Sequence, residues 1–289
     1  MKRPVFAAFI PARFWKFVPA LLPAMMLLTF LVMSRAQSTQ STFSTEEELK
    51  ADVDAVTCKD SERLNAAKSL IEKMGSVASD LSIEKHSGVQ NLVLTKRGAT
   101  DEKIVVGAHY DKTTKGCGAV DNWTGIVALA HIYKTLKTVP FNKTLVFVAF
   151  GKEEEGLLGS KAMVDSLPKQ ELSRYCAMVN IDSLGMGIPQ VADNMSSKKL
   201  QELAADLAKK MSMQYAHAAI PNASSDSNSF LARKIPALTI HSMTNDWTSI
   251  LHSSADQTSK VNSRSLYLSY RLALAVVYSI DKASCDAYR

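Results

Sequence analysis

Hydrophobic and polar positions change period many times along this chain, and each change marks an element. Residues 44–57 and 60–75 carry apolar side chains at helical spacing behind a Ser or Asp cap, with acids in the first turn. That pattern predicts two helices. Residues 81–87 and 90–98 predict paired strands. The segment EKIVVGAH, 102–109, is short and almost continuously apolar, as expected of a strand buried on both faces. Helical spacing resumes over 122–139 and is followed by a strand at 143–151, a helix at 156–167 and a strand at 174–185. A capped amphipathic helix at 196–212, a strand at 234–242 and a long helix at 262–280 complete the body. Strands alternate with helices through most of it. The expectation is an α/β fold with a mostly parallel mixed central sheet and helices on both faces. In such sheets, sites form beyond the carboxyl ends of the strands.

The first 36 residues follow a different grammar. A basic start precedes an apolar run from Phe17 to Met33, and then comes Ser34-Arg35-Ala36. This predicts a secretory signal cut after Ala36, leaving residues 37–289 as one domain in a secreted or periplasmic protein. An uncleaved signal anchor is the alternative, and only then would the protein meet a membrane. Pro19 and Pro23, and the shortness of the run, argue against a straight span. The segment also explains the charge. Lys2, Arg3, Arg13, Lys16 and Arg35 account for all but one unit of the formal +6. The body is therefore close to neutral, and a nucleic-acid partner is not expected.

Four cysteines (Cys58, Cys117, Cys176 and Cys285) match no zinc-finger spacing and suit an oxidising compartment. Cys58 and Cys285 lie near the two ends of the body, where domain termini often meet, so a Cys58–Cys285 bridge is the expected pairing.

The informative polar residues sit just after the apolar strands. The strand at 102–109 ends in His109, and its loop goes on to Asp121. The next ends in Glu153, Glu154 and Glu155, and the third in Asp182. After the strand at 234–242 come Asp246, His252 and Asp256. Four strands thus deliver His, Asp or Glu to one edge of a sheet. Clustered carboxylates repel one another unless a cation lies among them. Two His and three carboxylates without a thiolate suit a pair of zinc ions sharing a bridging carboxylate, with manganese or cobalt as competitors on ligand type.

These segments, GAHYD, GAVDNWTG, VFVAFGKEEEGLLGS, NIDSLG and LHSSAD, resemble the M28 family of metallo-aminopeptidases in order and approximate spacing, over roughly residues 90–280. The resemblance implies the zinc-exopeptidase sandwich and assigns roles. His109 and Asp182 would hold one metal, Glu154 and His252 the other, and Asp121 both. The family pattern Glu-Glu-x-Gly-Leu makes Glu153 the general base and Glu154 a ligand, leaving Glu155 solvated. Asp111 resembles the carboxylate that fixes the tautomer of the ligating His. The peptide after the bridging Asp is often cis in this family. Gly116 and Gly118 would let the loop approach the metals, and Gly125 would let the next helix pack closely.

Many relatives carry Ser-Asp-His before a Phe or Trp. This chain has Ser225-Asp226-Ser227 and then Phe230, which puts the shape of the substrate pocket in doubt. The implied reaction is hydrolysis of the N-terminal bond of a peptide. The rivals are a glutaminyl cyclase with one zinc, a non-catalytic binding module on the same fold, and an exopeptidase releasing a C-terminal residue.

Overall fold

The computed structural model describes residues 43–289, so the expected signal at 1–36 lies outside the described residues. Helix α1 (Glu46–Asp54) opens on a reciprocal cap. Thr45 Oγ1 accepts from Glu48 N at 3.2 Å, and the Glu48 carboxylate accepts from Thr45 N at 2.9 Å, which satisfies two end donors at once. Helix α2 (Asp60–Lys73) follows, then the hairpin of β1 (Leu81–His86) and β2 (Val89–Lys96). The centre is built by β3 (Lys103–His109), α3 (Thr124–Leu136), β4 (Thr144–Phe150), α4 (Leu158–Ser166) and β5 (Tyr175–Ile181). Strand β6 (Gln190–Ala192), α5 (Lys198–Lys210), β7 (Ala216–Ala218), α6 (Ser227–Ala232), β8 (Ala237–His241) and α7 (Ser263–Lys282) complete it. The elements β6, β7 and α6 carry no periodic signal in the sequence, because they are too short to show a period.

The eight strands form one sheet in the order β1-β2-β4-β3-β5-β8-β6-β7. The central four, β4, β3, β5 and β8, are parallel. The pairs β1–β2, β2–β4 and β6–β8 are antiparallel, which makes the sheet mixed as expected. Alternate residues of β3 show both faces covered. Ile104, Val106 and Ala108 pack with Ile126 and Leu129 of α3 and Leu266 and Leu274 of α7. Val105 packs with Met163 and Val164 of α4 and Phe230 of α6. With apolar partners on both sides, the strand needs no polar alternation, and that is why it reads as a continuous apolar run. No helix among the described residues is long and apolar enough to cross a membrane.

The cysteines pair Cys58–Cys117 and Cys176–Cys285, and the expected Cys58–Cys285 bridge is wrong. The carboxyl-terminal turn docks against the start of β5, which brings Cys285 to Cys176; Arg289 Nη2 donates to the Tyr175 carbonyl at 2.8 Å in the same place. Cys58 instead precedes α2, whose first turn packs against the loop after β3. The Cys176–Cys285 bond spans 109 residues of sequence. By the loop-entropy argument, a closure of that length destabilises the unfolded chain by roughly 4–5 kcal/mol.

Candidate metal centre

Parallel strands β3, β4, β5 and β8 all end on the same edge, and each hands over to a segment with polar side chains. His109 is the last residue of β3 and is 1% exposed. Asp182 follows β5 directly, and its backbone N–H donates to the Ile240 carbonyl at 3.0 Å. After β4 the chain turns through Lys152 and Leu157, both with positive φ (58° and 63°), and Glu153 and Glu154 lie between them. Asp111 shapes that turn: its carboxylate accepts from Glu153 N at 3.0 Å and Glu154 N at 3.1 Å. It also lies 3.6 Å from His109 Nδ1, while the Asp111 carbonyl is nearer at 3.2 Å. Asp111 thus holds both the ligating His expected on β3 and the two glutamates of the next turn.

The loop carrying Asp121 is bent where its glycines allow it. Gly116 and Gly118 have φ of 65° and 60°. A Cβ on Gly116 would meet the Ser253 carbonyl oxygen at 2.3 Å, and one on Gly118 would meet Arg63 Nη2 at 2.8 Å. The Asp121–Asn122 peptide is cis, as the resemblance implies. Asn122 then ties the loop to β5. Its Oδ1 accepts from Gly125 N (3.0 Å) and Ser183 N (3.1 Å), and its Nδ2 donates to the Ile181 carbonyl (2.9 Å). The Asp256 carboxylate accepts from Val120 N at 2.7 Å and Asp121 N at 3.2 Å, fixing the loop from the segment after His252.

These constraints bring the five expected donors together in two sets. His109 Nε2 lies 3.2 Å from Asp121 Oδ1 and 3.6 Å from Asp182 Oδ1. His252 Nε2 lies 3.0 Å from Asp121 Oδ2 and 3.2 Å from Glu154 Oε2. Asp121 offers one oxygen to each set. Glu153 presents an oxygen within 4.8 Å of the donor atoms of His109 and Asp182. Two donors about 2.0–2.2 Å from one tetrahedral ion stand about 3.3–3.6 Å apart; the His109–Asp182 separation of 3.6 Å matches that, and the other three, at 3.0–3.2 Å, would open by a few tenths of an ångström around an ion. The buried Glu154 Oε1 has no hydrogen-bond partner, which also fits a carboxylate built for a cation.

The electrostatics point the same way. His109 is pulled two ways: burial lowers its pKa, but Glu153 and hydrogen bonds to Asp111, Asp121 and Asp182 raise it well above the ordinary value. Hydrogen bonds to Asp121 and Glu154 push His252 up to about 10. Burial, reinforced by Asp226, Asp182 and Asp121, raises Glu153. Asp121 loses solvent on burial, yet the two imidazoles hold it below the ordinary carboxylate range. The pocket thus holds protons where a divalent cation could take their place.

Other residues fall outside the donor sets. Glu155 is exposed and pairs with Lys152 at 3.0 Å, and Asp246 bonds Thr244 on the surface. His131 is buried against Ser44 and Asp52, away from the donors. Three further polar groups near the loops have contacts that the sequence did not foretell, although Ser225-Asp226 stood out in it as a departure from the family motif. Ser225 Oγ donates to Asp182 Oδ2 at 2.5 Å. Asp226 is fully buried, with both oxygens unpartnered, and burial raises its pKa. Arg63, also fully buried, donates to the carbonyls of Cys117 and Gly118. Its one trace in the sequence is a basic residue in register with the buried Ala67, Leu70 and Ile71 of α2. Beyond the donors opens a cavity of about 430 Å³ whose walls include Met195, Ile220, Met243, Trp247 and Leu251.

The chain is similar to several known proteins. Aminopeptidase YwaD of Bacillus subtilis is 43% identical over 82 residues, which is 28% of this chain but only 18% of the relative. BSAP, a zinc aminopeptidase from Bacillus subtilis, superposes with a TM-score of 0.61 at 26% identity over 69% of this chain and 54% of its own. A glutaminyl cyclase from an Acidobacteriales bacterium shares the fold, with a TM-score of 0.69 at 17% identity over 82% of this chain and 94% of its own. The profile of Peptidase family M28 matches residues 91–277, which include every donor described above. With more than half of its length under that profile, the chain belongs to peptidase family M28.

Proposed function

We propose that this protein is an exported, zinc-dependent aminopeptidase that hydrolyses the N-terminal peptide bond of peptides. The observation that carries the proposal is the pair of His–carboxylate donor sets sharing Asp121. His109, Asp182 and Asp121 would hold one zinc, and His252, Glu154 and Asp121 a second. Zinc bound there supplies an acidified water and a Lewis acid for the scissile carbonyl. Glu153 is the base. It is half-buried next to the donors, and Asp111 holds its backbone, so it is placed to take a proton from the attacking water and return it to the leaving amine. The apolar cavity wall supports an apolar N-terminal side chain. Two disulfides and no free cysteine support export to an oxidising compartment.

The cyclase reading keeps its place through the shared fold, and the five-donor set speaks against it. Metal analysis of purified protein, paired with hydrolysis of leucyl-chromophore and cyclisation of glutaminyl peptides, separates the two. The expectation is about two zinc equivalents, leucyl hydrolysis, and loss of activity with chelator. One zinc with cyclisation would transfer the assignment to the cyclase.

A further inference from the structure

Helix α2 lies outside the stretch that the family profile matches, yet its first turn reaches the loop between the donors His109 and Asp121. Asp60 Oδ1 accepts from Lys112 N at 3.0 Å, one residue past Asp111. Arg63, one turn on, donates through Nη2 to the carbonyls of Cys117 and Gly118, the latter at 2.8 Å, and its guanidinium lies 5.3 Å from the Trp123 ring. Cys58, two residues before α2, is bonded to Cys117. The backbone leading to Asp121 forms no strand. Apart from Cys58 and Arg63, it is held mainly by Asp256, whose carbonyl accepts from Cys117 N at 2.8 Å and whose carboxylate takes Val120 N and Asp121 N.

Arg63 is a poor choice for stability alone. It is 0% exposed, and its Nε and Nη1 have no partner. An apolar residue beside Ala67, Leu70 and Ile71 would fill the space without that desolvation cost. Burial brings its pKa down only to about 10, so it stays a cation at neutral pH, within the field of Asp256, Asp60 and Asp121. Its contacts are what a loop needs to keep one shape while its neighbouring carboxylates repel.

We propose that Arg63 and the Cys58–Cys117 disulfide form a positioning clamp that sets the Asp121 loop before metal arrives, so that reducing this disulfide reversibly weakens metal binding. The proposal rests on the metallopeptidase reading of the site. Cys58 is exposed, whereas Cys117 is 2% exposed and the second pair, Cys176 and Cys285, is buried at 0% and 8%. An outside thiolate therefore reaches the Cys58–Cys117 bond first. A dithiol gives two electrons and two protons: the S–S bond breaks, Cys58 and Cys117 become thiols, and the dithiol closes to its own disulfide. Freed of the tether, a loop with two glycines at positive φ regains the conformations that the clamp had removed.

The test uses the full protein, stripped of metal, with a phosphine as reductant because thiols themselves bind zinc. Hydrogen exchange across 112–123 and zinc affinity by chelator competition are read before and after Cys58–Cys117 is reduced. Faster exchange in that loop and zinc binding weakened about tenfold or more, both reversed on reoxidation, are expected. Arg63→Met should weaken zinc similarly, and Arg63→Lys should recover part of the loss through its retained charge. The paired change Cys176→Ser and Cys285→Ser should leave zinc affinity within about twofold. Unchanged exchange and affinity after complete reduction of Cys58–Cys117 would overturn the clamp, whether or not the variants fold. Tight zinc binding without peptide hydrolysis would instead defeat the peptidase reading and leave the clamp standing.

Discussion

Glu153 and Glu154 are neighbours with opposite surroundings. Glu154 Oε2 faces His252 Nε2 at 3.2 Å, while Glu153 is half-buried near His109 and among Asp226, Asp182 and Asp121, with no salt bridge of its own among the described residues. A glutamine at 153 keeps the size but cannot take a proton. Glu153→Gln is therefore expected to lower kcat by about 10²–10⁴ with metal content unchanged. A neutral amide is a poorer ligand than a carboxylate, so Glu154→Gln is expected to lose zinc. Metal analysis beside leucyl-substrate kinetics on both variants decides the matter; the reverse pattern would shift the register by one residue. Asp256 shows the limit of reading residues singly. Its sequence position at a strand-following loop is visible, but its task of accepting from Val120 N and Asp121 N depends on where those backbone donors point.

At the scale of elements, the centre depends on how α3 enters from its loop against the end of β5. Asn122 carries that junction with three hydrogen bonds to Gly125, Ser183 and Ile181. Asn122→Ala leaves buried backbone groups unpaired at a cost of about 1–3 kcal/mol each where no water enters. A loss of about 3 kcal/mol or more in urea unfolding, with weaker zinc binding, is expected; stability within 0.5 kcal/mol (about the spread of neutral surface changes) would deny Asn122 this role. Strands β3, β4, β5 and β8 were legible because burial on both faces makes each an apolar run that stops where its polar loop begins. The same feature exposed the donors. Strands β6 and β7 were not legible, since three residues show no alternation. The disulfide partners were not legible either. They depend on α2 packing against the Asp121 loop and on the last turn docking beside β5, contacts between segments 59 and 109 residues apart.

For the molecule as a whole, the site links protons, metal and stability. His109 and His252 are both raised above 6.5. Each keeps its proton in the folded chain at a pH where the unfolded chain has lost it. Their joint contribution is present at low pH and is lost as pH rises through the folded values. The lowered Asp121 acts with the opposite sign, but only on acidification below its ordinary value of 3.8, outside this window. Calorimetry on chelator-treated protein is expected to show Tm falling from pH 6.5 towards about 10, where His252 titrates. A rising Tm across that range would contradict the proton inventory. Bound zinc is expected to reverse the trend, because it would displace the protons and bind more tightly as pH rises. The two donor sets also differ in their access to water. The His109 side chain is 2% exposed and that of His252 is 56%, on a loop that places His252 at φ 57°. If each set holds an ion, the one beside His252 would meet solvent more freely and would be the first that a chelator removes, so the two would have unequal residence times.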